Sequence, residues 1–63
     1  MESIKQVLMR RDGMESHEAD SLIEEAKETL QAYIEEGDLF GAEDICNEYF
    51  GLEPDYLMEL LPV

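Results

Sequence analysis

The chain has no tryptophan, one cysteine, two prolines and four basic residues among 63. A single thiol, Cys46, cannot close an internal disulfide, and secreted domains of this size ordinarily depend on such bridges or on a metal. A reducing, cytoplasmic location is therefore expected. No apolar run approaches the ~20 residues that cross a bilayer. The stretch from Met1 to Gly13 places its basic residues after a short apolar segment, unlike a signal peptide. Four Lys and Arg against 17 Asp and Glu leave a formal net charge of −13. That sign repels anionic lipid and phosphate backbones, so neither membrane association nor direct nucleic-acid binding is expected.

Length excludes more. The chain falls short of the roughly 100 to 200 residues usual for a domain, so residues 1–63 read as a single one. A domain this small hides only about 60% of the surface of its unfolded chain, which leaves little room for a deep catalytic pocket beside a core. An enzyme is not expected, nor is a cofactor. Hydrophobic residues nevertheless make up 44% of the chain, too many and too regularly spaced for a disordered acidic tail. Their burial about balances conformational entropy, so the fold is marginal and self-association or a partner is expected to support it.

The apolar spacing predicts an all-α fold, a small bundle of three to four helices around one long amphipathic helix, with glycines between the segments. Ile4, Val7, Leu8 and Arg11 recur at helical intervals over residues 2–11, and Asp12-Gly13 ends that segment. Ala19, Leu22, Ile23, Ala26, Leu30, Tyr33 and Ile34 form the longest stripe, with Ser16 as the expected N-cap and Gly37 as the stop. Roughly 21 residues at about 1.5 Å each make a rod near 30 Å long, on which the rest must pack. Asp38 caps a third helix whose expected inward face is Leu39, Ala42, Ile45, Cys46 and Tyr49, with Phe50 beside them and Gly51 as terminator. Gly41 weakens its first turn. Pro54 then favours a short last helix over Asp55 to Leu61, closed by Pro62. The expected core is Leu22, Ile23, Ala26, Leu30, Ile34, Ile45 and Tyr49.

Two stretches, RRDGMESHEAD (Arg10 to Asp20) and EYFGLEPDYLMELL (Glu48 to Leu61), resemble a group of short acidic uncharacterised proteins of bacteria and their phages. These stretches are turns and helix starts. The resemblance implies a helical fold and a phage or prophage context, and it carries over no activity and no catalytic residue.

Chemistry-bearing residues are sparse. His17 and Cys46 have no second His or Cys to complete a zinc site, and no window has the spacing of an EF-hand, so no metal is expected. Cys46 falls on the apolar stripe, where a thiol behaves as a small hydrophobe. Asp38, Glu43 and Asp44 read as helix-start acids. The segment LMELL (Leu57 to Leu61) matches an LxxLL pattern that docks in partner grooves, although the same leucines are wanted to close the core. Candidate partner-binding residues are accordingly Tyr56, Leu57 and Leu60, with Met9 and Met14. On helix two, Asp20, Glu24 and Glu28 succeed one another at i, i+4, with Glu25 three residues before Glu28, so like charges stack at a cost of a few tenths of a kcal/mol each. The surplus exceeds the roughly 2 to 8 charges that keep a small domain soluble. The expected function is binding of another protein, one with a basic surface. The alternative is an acidic mimic whose face Asp20, Glu24, Glu25 and Glu28 occupies a nucleic-acid-binding site on such a protein.

Overall fold

Helix α1, Ile4–Arg11, begins where Ser3 can cap it. The Ser3 hydroxyl accepts from the Gln6 N–H at 3.1 Å and the Gln6 side chain accepts from the Ser3 N–H at 2.9 Å. This reciprocal box holds the start at Ile4, two residues later than the apolar spacing implied, because the cap residue itself is extended. The computed structural model describes residues 2–61. Helix α2 covers Ser16–Glu36. Its cap is Glu15 and not Ser16: Glu18 reaches back to the Glu15 N–H at 3.3 Å, whereas a cap at Ser16 would put Ala19, which has no acceptor, in that role. Gly37, at φ +75°, turns the chain out of α2 and lets the Asp38 N–H reach the Tyr33 carbonyl at 2.8 Å.

Helix α3, Leu39–Phe50, starts as expected from Asp38, whose carboxylate accepts from the Gly41 N–H at 3.0 Å. Gly41 costs helix propensity but is required by packing. A Cβ there would lie 2.8 Å from two ring carbons of Tyr33, so only a bare backbone lets α3 approach α2 this closely. The short last helix expected over Asp55 to Leu61 is present as a 3-10 helix, Pro54–Glu59. Its bonds, Tyr56 N–H to Glu53 O and Leu60 N–H to Leu57 O, span three residues, the tighter pattern common in short helical pieces. Pro62, expected to close it, lies outside the described residues.

No strand occurs among the described residues, and the fold is all-α with α2 as its longest member. One apolar cluster joins the three α-helices and the residue that ends the 3-10 helix: Ile4 and Leu8 of α1, Ala19, Ala26 and Leu30 of α2, Ala42, Ile45, Cys46 and Phe50 of α3, and Leu60. Ala26, Leu30 and Ile45 are buried as expected, while Leu22, Ile23 and Tyr49 are half-buried at its margin. Tyr49 stays at the margin because its hydroxyl has a partner there. Thr29 spends its one proton on the Glu25 carbonyl at 3.1 Å, so the Tyr49 hydroxyl donates to Thr29 Oγ1 at 2.7 Å, and the neighbouring Phe50 supplies the buried ring. Ile34, assigned to the core by its place on the stripe, is 43% exposed. At 21 residues α2 outruns the 8 of α1 and the 12 of α3, so its neighbours cannot cover the stripe to its end. Leu39, expected to face inward, is 66% exposed in the first turn of α3, ahead of the place where Gly41 meets Tyr33.

Two polar contacts fasten the ends of this arrangement. The Arg11 guanidinium, bidentate to Asp12 at 2.9 Å, also donates to the Phe50 carbonyl at 2.6 Å, where the open carbonyls of α3 favour a cation. Glu59 accepts from the Ile4 N–H at 3.1 Å, placing a carboxylate at the positive end of α1.

Candidate functional site

The cations are largely consumed within the molecule. Arg10 pairs with Glu2 at 2.7 Å, Arg11 with Asp12 at 2.9 Å and Lys5 with Asp20 at 3.0 Å. Hydrogen bonds to the two guanidiniums hold the Glu2 and Asp12 carboxyls below their ordinary range. Among the described residues Lys27 has no carboxylate within ion-pair reach, so the remaining acidic surface faces solvent almost without internal neutralisation.

That surface has a definite layout on α2. Asp20, Ser21, Glu24, Glu25 and Glu28 line a shallow, open depression, so the four carboxylates of the expected mimic face do form one strip. Lys5 neutralises one end of it, at Asp20. Around the helix, Glu24 and Glu28 also edge a deeper groove of about 470 Å³ between α2 and the residues that follow the 3-10 helix. Leu30, Ile34, Leu60 and Leu61 contribute its apolar lining, and Lys27, Gln31 and Glu35 complete it. The same two glutamates thus border both features.

The expected contact residues are placed unevenly. Leu60 is buried in the core and offers almost no surface, because its side chain takes part in the cluster that holds the C-terminal segment on α2 and α3. Tyr56, Leu57 and Met14 are half-buried against that cluster, and Met9 is exposed on α1. The most exposed large apolar residues lie elsewhere: Phe40 at 88% and Met58 at 76%, together with Leu39. A sequence signal for Phe40 existed. It stands two residues before Ala42, about 200° around the helix from a buried position, and so falls off the inward stripe. Met58 is likewise an x position of the LxxLL segment, on the side away from its leucines.

Glu15, His17 and Glu18 can bring one ligand atom each within 4.8 Å of one another, and these are the residues that could hold a metal ion. All three are exposed, and Glu18 already serves the α2 cap. Cys46 is fully buried, and burial, with the Glu59 carboxylate adding to it, pushes its thiol up, which makes it a poor nucleophile. No helix among the described residues is long and apolar enough to cross a membrane. No protein-family model, curated protein or solved structure matches the chain.

Proposed function

We propose that this domain is a non-enzymatic, acidic protein-binding module. The observation that carries the reading is Phe40, 88% exposed beside Leu39 on a domain whose core is complete without either. Aromatic residues, Phe among them, are enriched at protein interfaces relative to the rest of the surface, and exposing one to water has no benefit to the monomer. The carboxylate surplus then acts on encounter, speeding approach of a partner with a basic face. The test is affinity capture from lysate at low and high salt, followed by measured affinity of the captured protein for Phe40→Ala and Leu39→Ser, with circular dichroism as the folding control. Loss of about tenfold or more in affinity by folded Phe40→Ala is the expected result. Undiminished binding by both variants refutes the reading.

The acidic strip favours a second reading, a nucleic-acid mimic that occupies a basic site on its partner. Asp20, Glu24 and Glu28 rise about 6 Å per step along α2, against about 3.4 Å per base for phosphates on one strand. Glu25 separates the readings best, because it lines the strip but not the groove. A mimic loses its partner on Glu25→Lys and yields to competing DNA or RNA, with affinity falling steeply in salt. An apolar docking module does neither.

A further inference from the structure

The geometry points to a second element of recognition: the groove between α2 and Leu60-Leu61 seats a cationic amphipathic helix of a partner protein. This rests on the protein-binding reading above and adds the chemistry of what is bound. Leu30 and Leu60, core residues with almost no exposed surface, back the floor from beneath, and its accessible apolar part is half-buried Leu61 and Ile34, which is 43% exposed. The carboxylates of Glu24, Glu28 and Glu35 edge this floor against the single cation Lys27. An apolar floor with an acidic edge complements a helix that carries leucine-like residues on one face and Lys or Arg along its flanks.

Dimensions agree with that occupant. From Glu24 to Glu35 the groove follows α2 for eleven residues, about 16 Å, or three helical turns, enough for anchors at i, i+4 and i+7. The described residues present no sheet edge, so an extended strand has no backbone ladder to join. A second copy of this chain is disfavoured by charge, because it would set two acidic edges face to face between molecules of formal charge −13 each. Anionic lipid is opposed by the same carboxylates.

An isothermal titration with three 18-residue peptides tests the assignment: an amphipathic Leu/Lys helix, a Ser/Lys peptide of equal charge, and a Leu/Glu helix. The Leu/Lys peptide is expected to bind about tenfold more tightly than the Ser/Lys peptide, and the Leu/Glu peptide not at all. Ile34→Ser and Leu61→Ser are expected to weaken Leu/Lys binding about fivefold each, and Glu28→Lys to weaken it and flatten its salt dependence, with amide NMR spectra as the folding control. The charge-matched control Glu43→Lys leaves it unchanged. Equal binding of Ser/Lys and Leu/Lys, or equal loss on Glu43→Lys and Glu28→Lys, overturns the groove in favour of diffuse charge attraction. So does dimerisation in sedimentation that Ile34→Ser and Leu61→Ser abolish, because the occupant is then a second copy. Failure of all three peptides removes the groove proposal alone, since the Phe40 measurement decides the protein-binding reading independently.

Discussion

Leu30 is the residue on which most depends, touching the core on one side and the floor of the groove on the other. Truncation to alanine is expected to cost ~2 to 5 kcal/mol. A domain of this length holds only about 3 to 9 kcal/mol in all, so Leu30→Ala should lose a large share of it and melt well below the parent in a circular dichroism scan. Parent-like melting would show that the stripe on α2 is not what holds the fold. Cys46 makes a prediction about alkali. Its folded thiol titrates above the ordinary range while the unfolded chain's ionises near ~8.5. For an acid raised on folding, the stabilisation is complete below the unfolded value and is lost as pH climbs past it. The stability advantage of the native chain over Cys46→Ala should therefore shrink as pH rises past about 8.5, measured by urea titration at each pH.

At the scale of elements, intervals and terminators were readable in advance: the stops at Gly37 and Gly51, the Asp38 cap and the length of α2 all follow from residue spacing. What could not be read was which side of each stripe would find a neighbour. Ile34 and Leu39 have the right periodicity and the wrong company, since coverage depends on where α1 and α3 end along a longer rod. The caps at Ser3 and Glu15 carry the spacings S-x-x-Q and E-x-x-E, but residue type alone points to Ser16, a better capping residue than Glu15. Of the contact surface, the acidic strip on α2 was legible because it is contiguous on one helix, whereas the groove needs residues from two distant segments. Gly41 shows propensity and packing in opposition. Gly41→Ala gains about 1 kcal/mol in helix propensity, yet the new methyl enters the space of the Tyr33 ring, an overpacking that costs typically ~1 to 3 kcal/mol. A net loss is expected, seen as a melting temperature a few degrees lower, roughly 4 to 8 °C per kcal/mol for a chain this short. A rise in melting temperature would mean that the ring moves aside freely.

For the whole molecule, the surplus of negative charge is the dominant long-range term. Carboxylates crowded on a folded surface repel one another more than in an expanded chain, and salt at ~0.3 M shortens the screening length to below about 8 Å. The melting temperature should rise between low salt and that concentration, and a steady fall would show that the few ion pairs outweigh the repulsion. The two polar fastenings have a different consequence, in time instead of in equilibrium. The Arg11 to Phe50 and Glu59 to Ile4 contacts join residues 39 and 55 positions apart. Closing such long loops costs entropy before any contact repays it, so these bonds belong to the last stage of folding, after the rate-limiting barrier. Breaking one should leave the refolding rate unchanged and speed unfolding. Stopped-flow urea chevrons of Glu59→Ala should show the unfolding arm raised and the refolding arm superimposed on the parent's, and a slowed refolding arm would place the seam in the nucleus. On this expectation the lifetime of the folded molecule is set by a clasp between Glu59 and the first helix, a single polar contact beside the segment that walls the groove.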